Sequence, residues 1–240
     1  MSHAAITLDV DWAPDFMIDA SAQALIDRDV KATWFVTHDS PAVARLRDRP
    51  DLFDLGVHPN FLAGSSHGST PAEVVAHCAA LVPGARAVRT HCLLQSTPLH
   101  DELLRGSDID VDCSLFLPGA THVQPVVQWS PGGRLLRLPY VWQDNMEMYC
   151  PQPDWDTVTL LDAPGLRIFD FHPVHVWLNS RSFEPYERLK AAKPLPEAEE
   201  LDALPFRNSG PGAMTAFLDL ADALAKADGG VGGNRIGDLA

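Results

Sequence analysis

The chain is 240 residues long, 46% hydrophobic and 21% charged, which suits one domain with a sizeable core and excludes a disordered tail protein. Its 16 glycines and 20 prolines follow no period, so collagen-like and low-complexity chains are excluded as well. With 18 Lys and Arg against 32 Asp and Glu the formal net charge is −14, a balance that phosphate backbones and anionic membranes repel, and no nucleic acid partner is expected.

Taken in chain order, Ala5–Asp9 reads as a first strand, followed by a helix from Pro14 to about Asp27. Ala32–Thr37 is a second strand, rich in β-branched and aromatic residues. Ser40 caps a short helix running to about Arg47, and Leu55–His58 ends a third strand. Thr70-Pro71-Ala72-Glu73 is a capping box for a helix carrying Val74, Val75, Cys78 and Leu81 on one face. Ala87–His91 is the fourth strand, Pro98–Arg105 a helix stopped by Gly106, and Val111–Phe116 the fifth strand. Val126–Trp129 and Leu135–Leu138 form a hairpin around Ser130-Pro131-Gly132-Gly133. Leu166–His172 is the last strand, and Phe217, Leu220, Ala221 and Leu224 give a final helix its apolar stripe. Lys190–Gly212, proline-rich and acidic, is expected as a surface loop, and the Gly-rich stretch 227–240 as a disordered tail after one domain spanning 1–226.

Strands alternating with helices imply right-handed crossovers and a mostly parallel α/β sheet covered on both faces. No apolar run is long enough for a membrane span, and MSHAAITLDVDW carries no visible secretory signal. Cys78, Cys92, Cys113 and Cys150 lack CxxC spacing and are expected as reduced core thiols of a cytoplasmic protein.

The strand ends carry the chemistry. They run into Asp9-Val10-Asp11, Thr37-His38, His58-Pro59-Asn60, Arg89-Thr90-His91, Pro139-Tyr140 and His172-Pro173, and in parallel α/β folds active sites form where the carboxyl ends of the strands converge. Two carboxylates as close as Asp9 and Asp11 either raise one pKa or recruit a cation. With His58 and His67 they make available one carboxylate and two imidazoles, a mix that suits Zn²⁺ and also Co²⁺, Ni²⁺ or Fe²⁺. Arg89, inside an apolar strand, needs an anionic partner, for which Asp9 is the natural candidate. His172 is flanked by apolar residues, and Asp144 is placed to orient it and raise its pKa.

These stretches, from Ile6 to about Leu178, resemble the motifs of the polysaccharide deacetylases of carbohydrate esterase family four, in the family's order. ITLDVD resembles the first motif, which makes Asp9 the general base and Asp11 a metal ligand. LGVHPNF with SSHG resembles the second, which implies His58 and His67 as ligands. AVRTH resembles the third, whose arginine, Arg89, holds the base. LRLPYVWQDN resembles the fourth, with an aromatic wall and an acid, Asp144, that tunes the catalytic histidine. FDFHPVH resembles the last, whose histidine is the general acid: His172, with His175 as the alternative. The family's second motif places its histidines one helical turn apart, whereas here Leu62 stands four beyond His58 and the next histidine nine beyond, so Asn60 or His91 is the alternative third ligand.

The resemblance implies a distorted (β/α)7 barrel, in agreement with the seven strand positions above when the hairpin is counted as one. It also implies a metal-dependent hydrolase that removes the N-acetyl group from an amino sugar. A small or carrier-linked N-acetylated sugar of surface-polysaccharide synthesis is expected. Trp12, Trp142 and Trp177 are candidates to stack on its apolar face, and Asn60, His91 and Tyr140 to bond its hydroxyls. Two alternatives stand beside this reading. A haloacid dehalogenase-type phosphatase also begins with a strand leading into DxD, but needs a lysine and a late acidic pair that do not follow His91. A barrel that binds a sugar or protein without catalysis would account for the irregular histidine spacing.

Overall fold

Strand β1 (Ala4–Asp9) is buried along its whole length, and its alternating side chains divide the molecule. Ala4, Ile6 and Leu8 join the cluster between sheet and helices, whereas Ala5 joins the cluster inside the sheet, the period-two consequence of a strand covered on both faces. In β2 (Ala32–Val36) Trp34 and Val36 lie in the outer cluster and Phe35 in the inner one. The computed structural model describes residues 3–227 and 232–240.

The remaining strands are β3 (Phe53–Val57), β4 (Ala87–Val88), β5 (Val111–Asp112), β6 (Val126–Ser130), β7 (Gly133–Arg137), β8 (Trp142–Gln143) and β9 (Arg167–Phe171). They form one sheet in the order β6-β7-β5-β4-β3-β2-β1-β9-β8, parallel except for the β6–β7 hairpin. β7 lies beside β5 and β8 beside β9, near opposite ends of this order, yet only Leu138–Val141 separate them. Tyr140 N–H donates to Leu115 O (3.0 Å) and Val141 N–H to Ile168 O (2.9 Å). One extended run of chain thus ties the two ends together and curls the sheet into the distorted α/β barrel expected.

Helices α1 (Asp15–Ile26), α2 (Pro41–Arg47), α3 (Pro71–Leu81) and α4 (Thr97–Gly106) follow the first four strands. Ser40 Oγ accepts from Val43 N–H at the start of α2, and the Thr70/Glu73 capping box is formed at the start of α3, each cap contributing about 1 kcal/mol. α5 (Asp144–Glu147) follows β8, and after β9 come α6 (Pro173–Leu178), α7 (Glu184–Ala192), α8 (Glu200–Ala203), α9 (Ala213–Ala227) and α10 (Ile236–Leu239). Met17, Ile18 and Leu25 of α1 and Phe217, Leu220 and Leu224 of α9 fill the outer cluster.

Four expectations need correction. The fourth and fifth strands are two residues long, not five or six. The fourth ends where Arg89 turns inward, and the fifth where Asp112 Oδ1 accepts from Ser114 N–H and Oγ–H, a local bond that competes with the ladder. The expected loop 190–212 contains α8 and single turns at Leu195–Glu197 and Leu204–Phe206, because Leu195, Ala198 and Ala203 are buried against the core. Residues 232–240, expected as a disordered tail, pack on the barrel: Asn234 bridges Ala5, Gly232 bridges Val30, and Ile236 is buried in the inner cluster; residues 228–231 of that tail lie outside the described residues. Of the four free cysteines, Cys78 and Cys113 are core thiols, but Cys92 and Cys150 are exposed.

Candidate active site

At the carboxyl end of β1 the chain leaves the sheet through Asp11 and Trp12, both left-handed (φ 46° and 55°). After β4 it turns through Cys92 and Leu93, again left-handed (φ 53° and 54°). Each such non-glycine residue costs on the order of 1 kcal/mol, and strain of this kind clusters at functional sites. Trp12 N–H donates to Thr37 Oγ1 (3.0 Å), and its ring meets the His91 ring edge-on with centroids 5.3 Å apart.

The two turns and the end of β3 bring three side chains to one point. His58 Nε2 lies 3.2 Å from Asp11 Oδ1, His91 Nδ1 lies 3.0 Å from the same oxygen, and the two ring nitrogens are 3.2 Å apart. Both imidazole N–H groups can donate to Asp11 Oδ1, but the 3.2 Å approach of the two ring nitrogens is then left unbridged. A divalent ion serves all three, and tetrahedral coordination at about 2.1 Å separates ligand atoms by roughly 3.4 Å. The donor set therefore fits a cation. Burial pushes the Asp11 carboxyl up, but hydrogen bonds from His58 and His91 outweigh it and hold it well below its usual range. Burial pushes the His58 imidazole down, but Asp9 and Asp11 outweigh it and leave it raised. The carboxylates draw positive charge to this point.

Inside the barrel, Arg89 is fully buried between the rings of Phe35 and Tyr140, 4.6 and 4.5 Å from its guanidinium carbon. Its Nε–H donates to Cys113 O (3.1 Å), and Nη1 donates to Thr7 Oγ1 (2.9 Å), Asp9 Oδ1 (2.9 Å) and Asp170 Oδ1. Sequence reasoning found the Arg89–Asp9 pair and missed Asp170. The signal was present, because alternation along FDFH puts Asp170 and His172 on the same face of β9.

His172 follows β9. Its Nδ1–H donates to Asp144 Oδ1 (2.6 Å) and its backbone N–H to Asp144 Oδ2 (2.8 Å). Burial pushes this imidazole down, but buried Asp144, with Asp170 and Asp11 beyond it, outweighs that and raises it well above its usual range. The shift favours the protonated ring. Its Nε2 faces the cluster, 3.6 Å from Asp11 Oδ2 and 3.4 Å from Asn145 Nδ2.

His175, the alternative acid, is turned away: Nδ1 pairs with Ser180 Oγ (3.1 Å) and the ring packs on Phe183 and Tyr186. Burial pushes its pKa down to about 4. Since an unfolded histidine takes its proton near pH 6.5, the stability this group contributes is present above that pH. It is lost as pH falls toward 4, by on the order of 3 kcal/mol. Unfolding in urea at a series of pH values should show that loss, and His175→Gln should flatten the curve between pH 6.5 and 4.

His67, expected as a metal ligand, is not brought to the cluster. Its Nε2–H donates to Thr37 O (2.8 Å), its Nδ1 accepts from Asn60 N–H (3.1 Å), and its ring stacks on His77. With both nitrogens held by backbone, it clamps the loop after β3 to the end of β2, and His91 stands in the cluster instead. Asn60 Oδ1 accepts from Leu62 N–H within the same loop. Trp12 is partly exposed at the rim, but Tyr140, Trp142 and Trp177, expected to meet the sugar, are buried. Tyr140 O–H donates to Gln143 Oε1 (3.2 Å), and Trp177 packs on Phe16. Trp142 packs on Trp155 and Phe171 and lines, with Phe116, Gln143 and Met146, a pocket of about 310 Å³.

The Asp144–His172 pair, the Arg89–Asp9 pair and the Asp11–His58–His91 cluster thus gather at the strand ends of an α/β barrel. The family model of WbmS-like polysaccharide deacetylases matches residues 6–190, and the chain belongs to that family of carbohydrate N-deacetylases. Among solved structures, the chain is similar to WbmS of Bordetella bronchiseptica, provisionally described as a polysaccharide deacetylase involved in O-antigen biosynthesis. The two share 30% identity over 91% of this chain and 89% of that one, with a TM-score of 0.74. A 4-alpha-glucanotransferase from Thermococcus litoralis, 8% identical over 95% of this chain and 36% of its own, shares the fold alone, with a TM-score of 0.53. No curated protein matches at a significant level. Family membership sets aside the phosphatase alternative. Among the described residues no helix is long and apolar enough to cross a membrane.

Proposed function

We propose that the protein removes the N-acetyl group from an N-acetylated amino sugar, with Asp11, His58 and His91 holding a divalent cation. The observation that carries this reading is the meeting of Asp11 Oδ1, His58 Nε2 and His91 Nδ1 within 3.2 Å of one another, beside the Asp144–His172 pair. One carboxylate with two imidazoles favours Zn²⁺ and also accepts Co²⁺, Ni²⁺ or Fe²⁺. When bound, such an ion supplies Lewis acidity toward the acetamide carbonyl and lowers the pKa of water.

The chain's own groups supply the proton transfers. Asp9, held through Oδ1 by Arg89, takes the proton of the attacking water. His172, charged and fixed through Nδ1 by Asp144, gives its Nε2 proton to the departing amine, which leaves poorly without it. Trp12 at the rim, beside His91, offers aromatic surface to a sugar ring.

A small or carrier-linked sugar is the proposed substrate, a reading supported by the O-antigen role in the description of the WbmS neighbour. Acetate release from nucleotide-linked, lipid-linked and polymeric N-acetylated sugars tests it. Turnover of the carrier-linked or short substrates is expected, and preference for long chitin or peptidoglycan chains would overturn it.

A further inference from the structure

Two Nη1 hydrogens of Arg89 serve three oxygens, Thr7 Oγ1, Asp9 Oδ1 and Asp170 Oδ1, while Nη2 is buried with no hydrogen-bond partner. An arginine facing a single carboxylate ordinarily closes on it as a fork, one nitrogen to each oxygen. Here the fork is not made, and the reason lies in Asp170. Its side chain is wholly buried. Thr7 Oγ1 lies 3.0 Å from its Oδ1, and Gln143 Nε2–H donates to its Oδ2 (2.9 Å). Gln143 is fixed in turn by Tyr140 O–H, on the run of chain that ties the two ends of the sheet together. Asp170 is therefore anchored from both sides and draws Nη1 toward itself.

We infer that Asp170 is a positioning residue for Asp9: by sharing Nη1 it keeps Arg89 from closing as a fork on Asp9. Asp9 is then held by Oδ1 alone, and its Oδ2, which accepts no hydrogen bond from the described residues, stays free for the water's proton. This rests on the proposed role of Asp9 as the base. Nothing in the family resemblance pointed to Asp170.

The test compares Asp170→Ala with Asp170→Asn in the metal-loaded protein, by crystal structure and by kinetics. The Asn variant keeps an oxygen toward Nη1, and Gln143 can turn its amide to meet the new NH₂, so the single-oxygen contact should survive. In the Ala variant Arg89 should swing to place Nη1 and Nη2 on both oxygens of Asp9. The structural arm needs no substrate. With the sugar selected by the acetate assay, the Ala variant should lose about 10²-fold in kcat per bound metal, with KM within about threefold, and the Asn variant should recover at least about tenfold of that loss.

A residue that only supported the fold would lower the melting temperature and leave kcat per bound metal unchanged. That outcome overturns the inference, as does an Ala variant in which Arg89 stays on one oxygen, or an Asn variant as slow as Ala. Asp9→Asn measured alongside separates the two readings. If Asp9→Asn turns over normally, the base assignment fails; if it is inactive while Asp170→Ala is normal, the role of Asp170 alone fails.

Discussion

Asp9→Asn is expected to lower kcat by about 10²–10⁴-fold while the metal stays bound, because it removes one proton acceptor and none of the proposed ligands. The substitution is nearly isosteric, and the amide oxygen it introduces can still accept from Arg89 Nη1, so the buried guanidinium keeps a partner and the fold survives. His172→Ala should cost a similar factor from the other side of the reaction, since the amine then departs without its proton. The pair gives a further, directional result. His172 is raised chiefly by Asp144, against the opposing effect of burial. A raised acid stays protonated through neutrality and loses its proton only above the ordinary imidazole range, so the basic limb of kcat/KM should lie there. Asp144→Asn removes the charge that raises it and should move that limb to lower pH. Turnover within a few-fold of wild type in Asp9→Asn or His172→Ala removes that residue from the chemistry.

His58→Ala and His91→Ala form the second large effect. Each deletes one of three ligand atoms at the Asp11 cluster, and metal affinity should fall by about 10²-fold or more, beyond the 10- to 100-fold that outer partners typically contribute. His67→Ala is the informative control. Its two nitrogens are committed to Thr37 O and Asn60 N–H, so its loss should loosen the loop after β3 and leave metal content near that of wild type. Equilibrium dialysis against zinc, followed by metal analysis, reads all three. A His67 variant that loses its metal while His91→Ala keeps it reverses the assignment.

That contrast shows where one-dimensional reasoning reached and where it stopped. Period-two alternation and capping signals sufficed for β1, β2, β9 and α1–α4, because those elements are long or carry strong local signals. The habit of parallel sheets to gather chemistry at strand ends was enough to single out Asp9, Asp11, His58, Arg89 and His172. Asp144 was legible from its place in LPYVWQDN, the stretch that resembles the family's fourth motif. Spacing along the chain failed for the third member of the cluster: His91 meets His58 from 33 residues away, because the neighbouring strands β3 and β4 end side by side, a geometry set by sheet packing rather than local propensity. His67, closer in sequence, was claimed by backbone groups that only the folded loop presents. Asp170 stood on the right face of its strand, but an acid in an apolar strand had no assigned partner until Arg89 was seen to serve two carboxylates. The short helices α6–α8 and strand β8 owe their existence to packing, which no periodicity over two to nine residues reveals.

The central claim is that a divalent cation sits among Asp11, His58 and His91. An anomalous-scattering map from a crystal of the zinc-loaded protein tests it most directly. The account predicts one strong peak within about 2.0–2.2 Å of Asp11 Oδ1, His58 Nε2 and His91 Nδ1, with His67 uninvolved. A peak on His67, a peak between Asp9 and Asp170, or zinc bound in solution with no density at the cluster would contradict it.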